Sequence, residues 1–384
     1  MKDEFTDIRP YLDEEVAMAT QRMAKARQLH QLMSFLYPDK PIEEIIPFVK
    51  SLKSTDDFQT QLVIPAFRDV LNFTSNGLII AGFENFDGKP CLFVSNHRDI
   101  TLDAVILNDT ILKLKNGYTT TNICVGDNLM PNQFLEDICR SNKMIKVIRG
   151  TSIREMLQNS MNLSKIIRKT IIDNQHPVWI AQRGGRTKDG NDSTDQGIIK
   201  MFAMSSDKDL FSNIFELNII PLAVSYQIEP CDWMKAKEML LSKNNVYVKA
   251  PNEDFQSIIT GIMQRKGTVC LKMMEPLNDK LIEKKDEFLE LSGNDRFRFI
   301  ANLIDEEIHL GYHVFDTNYI AYDILNKSLK YADKYTQEAK KNFIVDVNEK
   351  IAKIGHSNYE ELREIFLTMY ANPVVNRDKA RNRN

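Results

Sequence analysis

Phe93-Val-Ser-Asn-His-Arg-Asp-Ile-Thr-Leu-Asp103 runs an apolar, strand-forming stretch straight into the polar turn Asn96-His97-Arg98, and then into a helix whose apolar face starts at Leu102. Strand, polar turn and helix make the repeating unit of layered α/β folds. The alternation continues outward. Residues 77–83 and 91–95 read as strands, 102–114 as a helix, 122–126 and 144–148 as strands, 153–172 as a long helix, and 178–181 and 219–227 as short apolar strands. An α/β domain is therefore expected over residues 73–275. In such folds chemistry gathers on loops at strand ends.

The flanks differ from this middle. Residues 1–72 read as helical, with Asp13 as N-cap, Glu14 and Glu15 in the first turn, and Val16, Met23, Leu29, Met33 and Leu36 near one face. A packed helix is the expectation there, since the polar face is not basic enough for a membrane-surface helix. Residues 276–384 read as a helical extension with a short apolar face at Phe297, Ile300, Leu303 and Ile304. Pro373 is expected to end the last helix, and the basic tail from Arg377 to be disordered. His309 and His313 have metal-like spacing but no HExxH pattern, and read as a solvated helix end.

The bulk composition is ordinary for a globular chain of 384 residues: 43% hydrophobic, 27% charged, net charge −3. Nothing in it argues for nucleic acid. Five scattered cysteines, without a CxxC pair, indicate neither a zinc site nor a disulfide framework, and suit a reducing cytoplasm. The opening MKDEFTDIRPYLDEE lacks an apolar core and predicts no signal peptide. No stretch approaches the roughly 20 apolar residues of a membrane span. Any contact with lipid would come from one side, and Lys143, Lys146, Arg149, Arg154, Arg168 and Lys169 are its candidate basic positions.

Chemistry concentrates at the turn. A histidine at a strand-to-helix junction is held rigidly yet faces the loop side. Asp103, six residues on, sits in the first helical turn, from which a carboxylate can reach back to the imidazole. Such a carboxylate fixes the ring tautomer and leaves the other nitrogen to take a proton. The residues alone also fit a purely structural pair, and Asp99 is a second candidate partner. His97-Arg98-Asp99 spells the HRD of protein kinases, but Ala104 stands where that loop needs Asn, and no GxGxxG, DFG or APE occurs. Further on, Val178-Trp-Ile-Ala-Gln-Arg-Gly-Gly-Arg-Thr-Lys-Asp-Gly190 opens a strand into a glycine pair among basic residues. Glycines admit a ligand close to the backbone, and arginines present forked donors to phosphate or carboxylate. Between the two lies a strand ending in Arg149, and beyond them Ile219-Ile-Pro221-Leu-Ala-Val-Ser-Tyr226.

This succession over roughly residues 90–230 resembles the four motif blocks of the glycerol-phosphate and lysophosphatidic acid acyltransferase superfamily. Asp7-Ile-Arg-Pro-Tyr11 and Thr317-Asn-Tyr-Ile-Ala-Tyr-Asp323 resemble a bacterial branch with helical extensions at both ends. The resemblance implies a central mixed sheet flanked by helices, with His97 and Asp103 as catalytic dyad. It also implies that Arg98, Arg149, Arg183, Gly184, Gly185 and Arg186 bind the anionic acceptor, and that Pro221 shapes the acyl-donor side. Two departures stand out. The His-to-Asp spacing is six rather than five, and the glutamate of the third block is replaced by Arg183 or Gly184, depending on the alignment.

The implied reaction is O-acyl transfer in membrane lipid synthesis, with no cofactor and no metal. The donor would be acyl-CoA or acyl carrier protein, and the acceptor the hydroxyl of an anionic lysolipid, foremost 1-acylglycerol-3-phosphate. The expected location is cytoplasmic, peripheral on the inner face of the cytoplasmic membrane. Alternatives are O-acylation of a lyso-aminolipid of the glycine or ornithine lipid type, thioester hydrolysis, and a catalytically impaired lipid-binding relative.

Overall fold

The computed structural model describes residues 4–37, 40–114, 117–243, 246–250, 252–355 and 358–383, with the side chains of Phe35 and Leu36 excepted. Seven strands form one mixed sheet: β1 (Ser75–Ala81), β2 (Leu92–Ser95), β3 (Asn122–Gly126), β4 (Met144–Val147), β5 (Val178–Ala181), β6 (Ile219–Tyr226) and β7 (Gly267–Met273). Their spatial order is β1-β7-β6-β2-β5-β3-β4. All neighbours are parallel except β6 and β7. β2 through β6 therefore point their carboxyl ends to one edge, and that edge receives the loops carrying His97, Arg149 and the glycine pair.

Six of the strands and the helix Leu102–Leu114 fall where the sequence places them, within a residue or two. β7 is not among the strands the sequence predicts, although it pairs with both β1 and β6 and completes one half of the sheet. Side chains alternate across the sheet as the pleat requires. Leu92, Val94, Val178, Ile180 and Ile219 face one core, shared with Ile300, Leu303 and Ile304 of the helix Asn294–Gly311. Phe93, Trp179 and Ile220 face the other, shared with Leu102, Ile106 and Leu107. Each such side chain contributes about 1.5–3 kcal/mol on burial.

The N-terminal helices pack as expected. Val16, Met23, Leu29 and Met33 share a buried cluster, with Phe134 and Ile138 of the helix Gln133–Ser141 packed against it. The side chain of Leu36 lies outside the described residues. The first helix starts at Asp13 itself, so Leu12 is its N-cap, and Glu15 accepts the Leu12 N–H at 2.7 Å.

The C-terminus corrects two expectations. The helix Tyr359–Arg381 runs through Pro373 and carries the basic segment with it; only Asn384 lies outside the described residues. Tertiary contacts outweigh the proline. Phe366, Met369, Tyr370 and Val374 are buried around it. Arg377 donates to the Tyr319 hydroxyl at 2.7 Å, with its guanidinium lying over that ring. Proline cannot donate to the carbonyl four residues back, here that of Met369. Against that carbonyl Gly190 is seated, at φ +72°, where a Cβ would stand only 2.0 Å from the oxygen.

Candidate active site

β2 ends at Ser95, and the chain leaves the sheet through Asn96. The Asn96 amide acts as an extra residue of strand: Oδ1 accepts the Val224 N–H at 2.8 Å and Nδ2 donates to the Val224 carbonyl at 2.9 Å. This anchors the turn to β6 and projects His97 from the opposite face, edge-on to Trp179 at 5.7 Å. The indole N–H of Trp179 donates to Ser95 Oγ at 3.1 Å, which fixes that wall.

His97 Nδ1 lies 2.8 Å from Asp103 Oδ2. The same oxygen accepts the backbone N–H groups of Arg98 at 2.7 Å and Asp99 at 3.1 Å. The other oxygen accepts the Tyr226 hydroxyl at 2.8 Å. Asp103 is almost wholly buried, so these four donors, rather than water, solvate its charge. Burial, and then the facing Asp103 carboxylate, raise the Tyr226 phenol well above its ordinary pKa, so it remains a donor. With Nδ1 held on the carboxylate, Nε2 is the nitrogen left for chemistry. Asp99 is not the partner. Its Oδ1 caps the next helix, accepting the N–H of Thr101 and of Leu102, both at 2.9 Å. Its other oxygen presses on Gly261, where a Cβ would come within 2.4 Å.

The glycine-bearing loop is a closed excursion. Gln182 N–H bonds the Ser95 carbonyl at 2.8 Å, Asp195 N–H returns to the Gln182 carbonyl at 2.9 Å, and Thr187 N–H bonds the His97 carbonyl at 2.9 Å. Gly184 and Gly185 are exposed at its tip, and nothing described comes within 4 Å of where a Cβ would sit on either. Arg183 is partly exposed there. Arg186 carries a buried Nη1 without a hydrogen-bond partner among the described residues. Against burial, hydrogen bonds from Lys249 and Asn128 hold the Asp254 carboxyl below its ordinary pKa, with a smaller contribution from the Arg186 charge, and burial raises the Cys231 thiol against the opposing Arg186 charge. Arg149 is exposed beyond β4 on the same sheet edge, its N–H 3.4 Å from Asp127 Oδ2.

Two expected binding residues occupy other positions. Arg98 is buried, and its guanidinium meets Asp192 at 2.5 Å and Glu229 at 3.3 Å. Burial lowers its pKa, but the two carboxylates more than reverse that. Lys235 joins by bonding Glu229 at 2.6 Å and the Arg98 carbonyl at 2.9 Å, and Tyr312 donates to Asp192. Arg98 thus braces the turn from behind, its charge already matched. Pro221 lies within the sheet opposite Val94, below the turn. Its carbonyl accepts the Met274 N–H at 2.9 Å. Its ring nitrogen faces the same side and cannot return a hydrogen bond to Met274, so the pair keeps one of its two bonds just where β6 and β7 begin to pair.

His309 is not solvated either. Its Nε2 sits 2.9 Å from the Asp192 carbonyl, and burial lowers its pKa. Together with Tyr312 it ties the C-terminal extension to the loop. Thr194, which bonds Asp305 at 2.7 Å, and Asn372, which bonds the Asp189 carbonyl at 2.7 Å, make further ties. Among the described residues no group of three or more His, Cys, Asp or Glu side chains could hold a metal.

Tyr226 ends the apolar run from Ile219, and nothing in the sequence signals its role. Asp192, Glu229, Lys235 and Tyr312 gave none, because only folding brings them to Arg98.

Residues 78–225 match the family model described as Acyltransferase. No curated protein matches the chain. Among solved structures, the 1-acyl-sn-glycerophosphate (LPA) acyltransferase PlsC from Thermotoga maritima aligns at 13% identity with a TM-score of 0.33, over 76% of this chain and 94% of that one. The family match begins inside β1 and ends inside β6, so residues 78–225, which carry the His97–Asp103 pair and the glycine loop, match the Acyltransferase domain.

Proposed function

We propose that the protein transfers a fatty acyl chain from a thioester to the hydroxyl of an anionic lysolipid, with His97 as general base. The observation that carries the proposal is the His97–Asp103 contact at 2.8 Å, inside a carboxylate site with four donors. Nε2 of His97 takes the acceptor's hydroxyl proton as its oxygen attacks the thioester carbonyl. Carbon–sulfur cleavage then releases the thiol, which recovers that proton. Asp103 holds the ring and offsets the positive charge that forms on it. No covalent enzyme intermediate is required.

The acceptor we favour is 1-acylglycerol-3-phosphate, with acyl-CoA or acyl carrier protein as donor, at the inner face of the cytoplasmic membrane. Arg186, with its unpaired Nη1, is the cation best placed for the acceptor's anion, and Arg149 and Arg183 share the edge. No helix among the described residues is long and apolar enough to cross a membrane, so the membrane contact proposed is a peripheral one. The third-block glutamate is missing, and a lyso-aminolipid acceptor is the reading that a changed head-group site would favour.

The test is thiol release from long-chain acyl-CoA and acyl carrier protein over a panel of acceptors, with products identified by mass. Acceptor-dependent release is expected, falling by about 10²-fold or more in His97→Ala. Release that is independent of acceptor would indicate a hydrolase. No release with any pair would indicate a lipid-binding relative.

A further inference from the structure

Of the basic positions that could meet lipid, several are already matched. Lys143 pairs with Asp56, Lys146 with Glu136 and Arg168 with Glu216. Arg149 and Arg154 are exposed and take part in no described ion pair. Between and beyond them the helix Ile153–Arg168 begins, and residues 151–158 are exposed on every side. Burial starts only at Leu163. This free start is a defined helix end: Ser152 Oγ accepts the Glu155 N–H at 3.3 Å, and Glu155 accepts the N–H groups of Thr151 at 2.9 Å and Ser152 at 3.2 Å.

The exposed turns are amphipathic. Ile153, Met156 and Leu157 have the i, i+3, i+4 spacing of one helix face. Ile153 is 80% exposed, Met156 56% and Leu157 57%, and Ile148 just before them is 37% exposed. Ile153 and Leu157, with Met161 and Met204, line a mostly apolar hollow that Arg154 and Gln158 border. Glu155 falls on the opposite side, where its carboxylate is used by the cap. Because this helix follows β4, its first turn lies at the edge where β2 delivers His97.

We propose that the first two turns of the helix Ile153–Arg168 insert Ile153, Met156 and Leu157 into an anionic bilayer surface, with Arg149 and Arg154 on the lipid head groups. This rests on the lipid acceptor read above. An apolar face with cations at its border is the pattern of interfacial helices, and juxtaposed arginines add attraction to anionic lipid. A second copy of the chain is the poorer occupant. A self-complementary contact through this face would bring Arg149 and Arg154 close to their own duplicates, and like charges oppose that. Seated this way, the bilayer lies at the sheet edge that carries the dyad, so a lysolipid reaches His97 without leaving the interface for bulk water.

The experiment is co-sedimentation of the full chain with phosphatidylcholine vesicles, with and without phosphatidylglycerol, for the natural protein, Met156→Asp/Leu157→Asp and Arg154→Glu. Circular dichroism and melting temperature check each variant's fold, and light scattering its mass. The natural protein is expected to bind the anionic vesicles, more weakly as salt rises. The double variant should lose about tenfold or more in partitioning, and Arg154→Glu should lose binding to anionic vesicles alone, with melting temperatures unchanged. Thiol release from soluble short-chain substrates should persist in both. Absent binding, or a folded double variant that binds fully, overturns the proposal. So does a variant whose mass halves while its vesicle binding is intact, which would make the face a self-interface. Vesicle binding without any acyl transfer would sink the proposed reaction and leave this surface standing.

Discussion

Asp103→Asn separates the chemistry of the site from its architecture. Asp103 Oδ2 accepts from His97 Nδ1 at 2.8 Å and from two backbone N–H groups, whereas among the described residues Oδ1 accepts only the Tyr226 hydroxyl at 2.8 Å. An asparagine can keep its oxygen where three donors converge and turn its amide toward Tyr226, whose hydroxyl can accept as well as donate. Hydrogen-bond satisfaction survives, and unfolding free energy should change by no more than about 1 kcal/mol. The negative charge does not survive. Two unit charges about 4 Å apart interact by about 4 kcal/mol at an effective dielectric of about 20. That attraction arises only when His97 becomes cationic on the way to the transition state. Its loss corresponds to about 10³-fold in turnover. Tyr226→Phe is the converse control. It keeps the charge but leaves Oδ1 buried and unpaired, costing about 1.5–3 kcal/mol of stability, while turnover should stay within about tenfold because the charge facing His97 is intact. Steady-state thiol release and urea denaturation on the same preparations measure both quantities. An Asp103→Asn enzyme with turnover within a few-fold of the natural one would refute the role given to the carboxylate, as would a variant that simply unfolds.

Other substitutions test the frame around the dyad. Arg98→Ala strands Asp192 and Glu229 without their cation in a buried site, and should cost about 3–5 kcal/mol; a midpoint shift near zero would show that Lys235 and Tyr312 suffice. Asp305 is pushed up to about 6 by burial. A carboxyl with a raised folded-state pKa binds its proton more tightly folded than unfolded, so its contribution to stability falls as pH rises from about 4 to 6 and stays low above. Asp305→Asn, which can keep an oxygen toward Thr194, should therefore gain up to about 3 kcal/mol over the natural protein at neutral pH and nothing at pH about 4; an equal difference at both would refute the assignment. Arg186→Ala should raise the acceptor KM by about tenfold or more while leaving kcat within a few-fold, because the interaction is made alike in ground and transition states; an unchanged KM would remove Arg186 from the acceptor site.

The sequence by itself determined the α/β class and most of the sheet, and it narrowed the partner of His97 to Asp103 or Asp99, because these are local. A strand's alternation, a polar turn and a carboxylate in the first turn of the next helix are all written within a short stretch. It also ordered the loops that share the site edge. Elements that depend on distant partners were not legible. β7 gains its identity from β1 and β6 on either side. Pro373 would end an isolated helix, but packing around Phe366, Tyr370 and Val374 carries the helix through it. Arg98 looks like a ligand-binding arginine beside a catalytic histidine until folding supplies Asp192 and Glu229, residues 94 and 131 positions away. The tertiary structure alone decided which arginines already have a counter-charge and which remain open. A charge has no role until its neighbours are known, and those neighbours are set by burial and long-range packing rather than by spacing along the chain.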